Sequence, residues 1–188
     1  MTKILLVDDD LLILATISLG LRQKGYEVIQ TDDSSSALTI IREQKPDLVI
    51  LDIRMPNLSG IDLAKTFMTE KIHFIFLTAY SDEEMINSAA ATGALGYLVK
   101  PLEIAQMVPA IEIALARADE FDKTNESLEN ITNALEKNRE IDIAIGIIME
   151  RHHIIRAQAF EKIRTFSRSR RIKIVDVAKG FISGLIEE

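Results

Sequence analysis

Four short apolar segments each run into a residue that can bind a cation or a phosphoryl group. Asp8 and Asp9 follow the first segment, Asp52 the second, Thr78 the third and Lys100 the fourth. Apolar runs of this length and continuity are typical of strands buried on both faces of a parallel sheet. The carboxyl ends of such strands meet at one crevice, so we expect these side chains to converge.

Three carboxylates beside one lysine suit the transfer of a phosphoryl group onto a carboxylate. Such a transfer needs an in-line nucleophile, a hard cation for the phosphoryl oxygens, and donors for the remaining charge. Mg²⁺ takes oxygen ligands and keeps several waters, so two or three carboxylates suffice to hold it. Lys100 and Thr78 can each contact a phosphoryl oxygen. The alternative for Asp8 and Asp9 is a helix N-terminal acid cluster favoured by the helix dipole, the role we assign to Asp10.

The elements that must position these residues alternate between strand and helix up to about residue 118. The patterns predict strands over Ile4–Val7, Tyr26–Gln30, Leu48–Leu51, Phe74–Leu77 and Leu95–Val99, and helices over Leu11–Lys24, Ser34–Gln44, Ile61–Thr69 and from Ser81 to about Gly93. Gly25 is placed to end the first helix. This alternation implies an α/β fold with right-handed crossovers and a doubly wound parallel sheet.

After Leu102 no strand signal remains, and one very long helix is predicted because glycine and proline nearly vanish. Coiled-coil spacing relates Phe121, Thr124, Leu128, Ile131, Leu135 and Asn138. Two of these six are polar, so a solvated connecting helix is the alternative to a dimer contact. Three helical stretches follow, over Ile141–Arg151, Arg156–Arg168 and Ile174–Leu185. Their predicted apolar faces are Ile143, Ile147 and Ile148, then Phe160, Ile163 and Phe166, then Val177, Phe181 and Leu185.

Composition bounds the class of protein. The chain has 188 residues, which suggests one domain of ordinary size and a smaller appendage. Hydrophobic residues make up 47% of it, yet no apolar run approaches the roughly 20 residues that span a bilayer. The N-terminus has no signal-peptide core and cysteine is absent, so a cytoplasmic location is expected.

Charge is distributed unevenly along the chain. Residues 1–150 hold 13 Lys and Arg against 25 Asp and Glu, a balance of −12, whereas residues 151–188 hold 9 against 4, a balance of +5. A basic tail behind an acidic front suggests an anionic partner for the tail. Charge runs are also common as solvated faces, so composition alone leaves nucleic acid undecided. Phe160 and Phe166 are interpreted as core residues rather than base-stacking platforms.

The motifs of the first part resemble the receiver domain of two-component response regulators. They are Ile4 to Asp10, Asp52 to Pro56, Thr78-Ala79 and Gly96 to Pro101, spread over roughly the first 118 residues. The resemblance implies the five-stranded flavodoxin-like fold, phosphorylation of Asp52 by a sensor histidine kinase, and Mg²⁺ held by Asp8, Asp9 and Asp52 with the Arg54 carbonyl. It further implies that Thr78 and Lys100 bind the phosphoryl group and that Tyr97 is the aromatic switch. The alternative for Tyr97 is an ordinary half-buried strand aromatic.

The tail is similar to the ANTAR domain, a three-helix RNA-binding module of transcription antiterminators. The similarity rests on Ile141 to Arg151, Ala159 to Arg164 with Ser167, and Val177-Ala178, within about 50 residues from Leu135. Where the family often has an arginine, this chain has Asn138. The resemblance implies close helix approach at Gly146, packing of the bundle by Ala159 and Phe160, and binding of paired hairpins in leader transcripts, which prevents a terminator from forming.

These observations lead to one predicted organisation and one leading function. We predict a receiver domain over residues 1–118, a coiled-coil linker over 119–138 that continues the last receiver helix, and a three-helix ANTAR domain over 139–188. The leading function is a phosphorylation-controlled antiterminator that dimerises through the coiled coil. The predicted RNA contacts are Arg164, Arg168, Arg170, Arg171 and Lys173, which can form one compact positive patch.

Other functions are weighed against this one. A DNA-binding response regulator is disfavoured because no recognition-helix pattern is found. A protein-interaction or dimerisation module is a further alternative. Enzymatic activity, such as that of a phosphatase with a similar acidic pocket, is not expected because receiver motifs cover the whole first domain.

Overall fold

A computed structural model describes residues 1–56, 58–79 and 92–186 of the chain. The helix predicted to begin at Ser81 lies outside these described residues. Two compact units are resolved, Met1–Asp122 and Lys123–Glu188, and each is described by itself.

The first unit is built from a parallel sheet and helices that alternate with its strands. The strands are β1 (Lys3–Val7), β2 (Glu27–Thr31), β3 (Leu48–Asp52), β4 (Phe74–Ala79) and β5 (Tyr97–Lys100). The helices described in this unit are α1 (Leu11–Gln23), α2 (Ser34–Gln44), α3 (Gly60–Thr69) and the beginning of α4 (Ile104–His152). Gly25, with φ of +92°, follows the end of α1 as predicted.

The sheet has the strand order β2-β1-β3-β4-β5, and all neighbouring strands are parallel. Chain order reverses between β1 and β3, which places a crevice outside the carboxyl ends of these two strands. In the register of the sheet, Val7 lies opposite Leu51 and Asp52 lies opposite Leu77. The residues that follow these pairs therefore emerge side by side.

Alternate residues of the strands pack into two separate hydrophobic clusters, one on each face of the sheet. Ile4 and Leu6 belong to the cluster that includes α1 and the beginning of α4. Leu5 and Val7 belong to the cluster that includes α2 and α3. Both faces of β1 and β3 are buried, which explains their continuous apolar sequence and confirms the predicted doubly wound, flavodoxin-like sheet.

The loops at the carboxyl edge are fixed by helix caps. The Asp10 carboxylate accepts hydrogen bonds from the backbone N–H groups of Leu12 and Ile13, so it caps α1 as expected. The Ser59 hydroxyl accepts from the N–H of Asp62 and caps α3. These caps set the directions in which the chain leaves β1 and β3.

The helix α4 is 49 residues long and contains residues of both units. The second unit comprises the remainder of α4 together with α5 (Arg156–Arg170) and α6 (Ile174–Ile182). The predicted stretch Ile141–Arg151 is thus the end of the long helix rather than a separate element. Among the described residues, no helix is both long and apolar enough to cross a lipid bilayer.

A small core holds the second unit together. Its buried residues are Ala144, Ile145, Ile148, Ala159, Ile163, Val177, Ala178 and Phe181. Ala159 packs as predicted, but Ile143 is 44% exposed, Phe160 is 37% exposed and Leu185 is 85% exposed, so placing these three in the core was wrong. For Ile143 and Phe160 the reason is rotational, because the neighbouring Ala144 and Ala159 turn toward the core instead. Leu185 lies outside α6, which ends at Ile182 and not at Leu185 as predicted.

Gly146 also differs from expectation. A β-carbon added to Gly146 would meet no atom of the described chain within 4 Å. The expected close helix approach at this glycine is therefore wrong for the described chain. A close contact is found instead at Gly180, where an added β-carbon would be 2.3 Å from Cδ1 of Ile186, a residue that follows the end of α6.

Candidate functional site

Three carboxylates converge at the carboxyl edge of the sheet, where β1 and β3 lie side by side. Asp8 and Asp9 follow β1 and Asp52 ends β3. One carboxylate oxygen from each residue lies within 4.8 Å of the other two. Asp8 and Asp52 are buried, whereas Asp9 is exposed. The cluster therefore has a buried floor and one side open to solvent.

Lys100 brings the positive charge to this cluster from the end of β5. Its Nζ lies 2.7 Å from Oδ2 of Asp8 and donates a hydrogen bond of 3.1 Å to Oδ2 of Asp52. The long side chain spans from β5 past β4 to reach both carboxylates. The peptide bond between Lys100 and Pro101 is cis.

The Asp8 carboxylate fits the role of a cation ligand. Its Oδ1 accepts a hydrogen bond of 2.9 Å from the backbone N–H of Asp10. Its Oδ2 is buried and accepts no hydrogen bond of acceptable geometry from the described residues, so the contact with Lys100 is an ion pair alone. A buried carboxylate oxygen that only an ion pair compensates is suited to bind a hard cation, which prefers carboxylate oxygens as ligands.

Burial raises the pKa of the Asp52 carboxyl above its usual value. The Asp8 charge acts in the same direction, while the Lys100 ammonium and the Arg54 N–H act against it. Burial on its own lowers the pKa of the Lys100 ammonium, but the contacts with Asp8 and Asp52 outweigh burial and leave this pKa above its usual value. Lys100 is therefore a permanent cation beside a carboxylate that is more basic than an ordinary aspartate.

The other predicted site residues surround this cluster at different depths. Thr78 is fully buried, one position beyond the β4 residue opposite Asp52. Arg54 is exposed and lies two residues after Asp52. Tyr97 begins β5, and its side chain is 58% exposed. The structure thus brings Asp8, Asp9, Asp52 and Lys100 together and leaves the Tyr97 side chain on the surface.

Gly60 is a residue of this site that sequence reasoning missed. It opens α3, and its N–H donates a hydrogen bond of 3.0 Å to the carbonyl oxygen of Ile53. A β-carbon at Gly60 would lie 2.1 Å from the backbone carbonyl oxygen of Asp52 and 2.9 Å from Cα of Ile53. A glycine directly after the capping residue Ser59 was the available signal, since the first helical position does not otherwise favour glycine.

The predicted basic patch lies on α5 and the turn that follows it. Arg164 forms an ion pair of 2.7 Å with Glu161, whereas Arg168, Arg171 and Lys173 are exposed and form no ion pair with the described residues. Arg170 lies over the ring of Phe166, with 4.9 Å between its Cζ and the ring centre. Four of the five predicted residues therefore present a cation that no carboxylate of the described chain neutralises.

The turn that carries three of these cations is held by its own contacts. Arg171 adopts a left-handed conformation with φ of +55° and ends α5. The Ser167 hydroxyl donates a hydrogen bond of 2.6 Å to the carbonyl oxygen of Ile172. The basic side chains of this segment are therefore presented by a fixed backbone.

A five-stranded parallel sheet with an acidic cluster and a lysine at its carboxyl edge defines the class of receiver domains. The family described as "Response regulator receiver domain" matches residues 4–112, and the ANTAR domain family matches residues 129–182. The transcriptional regulatory protein PdtaR of Mycobacterium tuberculosis is 32% identical over 179 residues, covering 94% of this chain and 87% of PdtaR. The chain therefore belongs to the response regulators that combine a receiver domain with an ANTAR domain.

Other similarities concern a smaller part of the chain. The DNA-binding response regulator MtrA of Mycobacterium tuberculosis is 32% identical over 119 residues, which cover 63% of this chain and 52% of MtrA. A crystal structure of a response regulator receiver domain protein from Clostridium thermocellum aligns with a TM-score of 0.60 and 34% identity, covering 64% of this chain and 99% of that chain. These matches support the flavodoxin-like receiver fold.

Proposed function

We propose that this chain is a phosphorylation-controlled regulator that binds hairpin RNA and thereby prevents transcription termination. The observation that carries the proposal is the contact of Lys100 with both Asp8 and Asp52 inside the acidic cluster. The match of residues 129–182 to the ANTAR family supports RNA as the ligand of the second unit.

Asp52 is the proposed phosphoryl acceptor, with a sensor histidine kinase as the donor. One carboxylate oxygen of Asp52 attacks the phosphorus of a phosphohistidine, a P–O bond forms, the P–N bond breaks, and the imidazole nitrogen takes up a proton. Asp52 suits this role because burial raises its pKa and so strengthens it as a nucleophile. Lys100 stabilises the negative charge of the transferred phosphoryl group, and Thr78 donates a hydrogen bond to it.

The donor set of the site suits Mg²⁺. Asp8, Asp9 and Asp52, with the carbonyl of Arg54, would hold the ion, consistent with the buried Oδ2 of Asp8, which has an ion pair with Lys100 but no hydrogen bond. When bound, Mg²⁺ neutralises phosphoryl oxygens that three carboxylates would otherwise repel. Asp9 is exposed, so the cluster has an open side from which a cation can enter.

The phosphoryl group acts on the rest of the chain through a two-state change. Thr78 moves toward the phosphoryl group and the exposed Tyr97 side chain turns inward to follow it, which alters the surface beside β5. An outward Tyr97 is the arrangement expected of the state without phosphate.

Dimerisation is proposed to occur through α4. Phe121, Leu128, Ile131 and Leu135 are each between 57% and 64% exposed and follow coiled-coil spacing along this helix. Apolar side chains at this spacing fit the same surface of a second copy. The polar Thr124 and Asn138 weaken the contact, which is the property that a switchable dimer requires.

Transcription through a terminator tests this function. The template carries a leader with paired hairpins ahead of a terminator, and readthrough is measured with the full chain, with and without acetyl phosphate and Mg²⁺. Phosphorylated wild type is expected to raise readthrough, and Asp52→Asn is expected not to respond. Equal readthrough with and without phosphorylation, or equal binding of duplex DNA and hairpin RNA, contradicts the proposal, and the second result favours a DNA-binding regulator.

A further inference from the structure

A groove runs along α5 on the surface of the second unit, and neither the phosphorylation site nor the core accounts for it. Its volume is about 520 Å³, within the range of roughly 300–1,000 Å³ typical of small-ligand sites. Six of its lining residues belong to α5 and the seventh, Phe181, belongs to α6. The lining combines an apolar floor with hydroxyl and amide side chains and with the charged Glu161 and Lys162.

The floor of the groove is an aromatic pair. Phe166 and Phe181 meet edge to face, with 6.0 Å between their ring centres. Phe166 packs against the core of the unit, as expected, yet its side chain is only partly buried and lines the groove. The Arg170 guanidinium borders the groove without being one of its lining residues: its Cζ lies 4.9 Å from the centre of the Phe166 ring. A guanidinium held on a ring is fixed in position and keeps a second planar face for a ligand.

The polar lining suits the edge of a nucleobase. The Ser169 hydroxyl donates to the carbonyl oxygen of Phe166 and can still accept a hydrogen bond from a ligand. The exposed Thr165 hydroxyl can donate or accept, and the Gln158 amide group offers further donors. Glu161 also lines the groove and pairs with Arg164 at 2.7 Å. Lys162 lines the groove beside Glu161, so the lining carries charges of both signs, and the Glu161 carboxylate can accept a hydrogen bond from a base amino group.

Cations flank the groove where a nucleic-acid backbone would pass. Arg168 and Arg170 are two positions apart on α5, which turns them to opposite sides of the helix, and Arg171 follows the helix end; all three are exposed. Arg168 and Arg171 can attract the phosphates next to a base that enters the groove. Bases inside a duplex cannot enter, whereas the loop of a hairpin presents unstacked bases.

We propose that this groove receives one unstacked base from the loop of a hairpin RNA, stacked on the Arg170 guanidinium. Arg170 then recognises a base, while Arg168 and Arg171 contact phosphates. This inference rests on the proposed function, because the ligand is the RNA that the second unit is proposed to bind.

The test uses the full chain and a hairpin RNA. A pool of hairpins with one constant stem and a randomised loop is selected on the wild-type protein, and the selected hairpin is then made with each loop nucleotide in turn replaced by an abasic site. One abasic position is expected to weaken binding to wild type by about 5- to 150-fold, the range measured for single stacked bases. Arg170→Lys keeps the charge and removes the planar group, so it is expected to lose a similar factor and to become insensitive to that abasic position.

Arg171→Lys is the matched control because it makes the same exchange at the neighbouring residue. It is expected to keep its sensitivity to the abasic position, since a lysine also serves a phosphate contact. Two results would show that the groove is not a base site, although the chain binds RNA. In the first, Arg170→Lys does not weaken binding. In the second, Arg170→Lys and the abasic site weaken binding independently, so that their factors multiply when the two are combined. Absence of hairpin binding by the wild-type chain overturns the proposed function and this inference together.

Discussion

The first residue of α3, Gly60, lies directly against the backbone carbonyl of Asp52. A β-carbon on Gly60 would be 2.1 Å from that oxygen, well inside the contact distance of any real carbon. The strand end that presents the Asp52 carboxylate is therefore packed against the start of a helix with no room for a side chain. The backbone position of the proposed phosphoryl acceptor depends on this glycine.

Gly60→Ala is the first prediction. The added methyl group must displace the backbone of Asp52 or of α3, so we expect a loss of about 1–3 kcal/mol in the free energy of unfolding, as for overpacked cores. Labelling by acetyl phosphate should slow as well, because the carboxylate moves relative to Lys100 and Asp8. Urea unfolding and the rate of labelling measure the two effects.

Gly96→Ala serves as the control for this substitution. A β-carbon at Gly96 would meet Cγ2 of Ile75 at 3.7 Å, an ordinary contact. This variant should keep the stability and labelling rate of wild type. If Gly60→Ala behaves like Gly96→Ala, then close packing at Asp52 has no bearing on the site.

The second prediction concerns the pH dependence of stability. Burial raises the pKa of Asp52 in the folded chain, so folding favours its protonated form. The contribution of the protonated Asp52 to stability is fully present below the unfolded pKa of about 3.9, and it is lost as the pH rises through the folded pKa of Asp52. Asp52→Asn cannot ionise, so its gain in stability over wild type should be larger at neutral pH than at about pH 4. Urea unfolding in the presence of a chelator measures this difference.

Asp62→Asn provides a control of opposite sign. Hydrogen bonds from Lys65 and Ser59 lower the pKa of Asp62, so wild type gains stability as the pH rises above the unfolded value. Asp62→Asn should therefore lose stability at neutral pH relative to acid. The interpretation of Asp52 fails if its variant shows the same stability difference from wild type at both pH values.

The parallel sheet could be predicted because its strands are buried on both faces. Strands such as Ile4–Val7 and Leu48–Leu51 read as continuous apolar runs, and the residue after each run falls at the carboxyl edge. Strand order then determines which of these ends are neighbours, and the observed order places Asp8 beside Asp52. The local sequence was therefore sufficient to predict the acidic cluster at the carboxyl edge of the sheet.

Contacts between distant backbones and between surface side chains could not be predicted in the same way. The proximity of Gly60 to Asp52 depends on the path of a loop, and the ion pair of Arg164 with Glu161 depends on rotamers. The exposure of Phe160 followed from which face of α5 meets the core, and helical spacing alone allows neighbouring faces.

The third prediction concerns self-association through α4. Leu128→Asp places a charge in the exposed apolar seam and should keep the chain monomeric, whereas phosphorylated wild type should sediment with a higher mass than the unphosphorylated form. Asn130→Asp adds the same charge two residues further along and off the seam, so it should behave like wild type. A mass that stays the same in all forms and variants would rule out this mode of association.

The last prediction concerns three cations of the basic patch on α5 and the turn that follows it, whose positive charges meet no carboxylate of the described chain. Arg168, Arg171 and Lys173 are exposed and form no ion pair with the described residues, so each can displace one counterion from RNA. Replacing all three by alanine should weaken binding of a leader hairpin and flatten the plot of log affinity against log salt by roughly 2–3 units, somewhat under one per contact. Arg164→Ala should flatten it less, because Glu161 already compensates part of that charge.

Lys137→Ala is the control for this salt series. Lys137 is an exposed cation of α4 outside the basic patch, so its removal should leave the affinity for RNA and the slope against log salt unchanged. Fluorescence anisotropy across a range of salt concentrations gives both quantities for the full chain and every variant. An unchanged slope in the triple variant would mean that these cations face solvent when RNA is bound. A flattened slope, with the sensitivity to the abasic loop position retained, would mean that they contact phosphates.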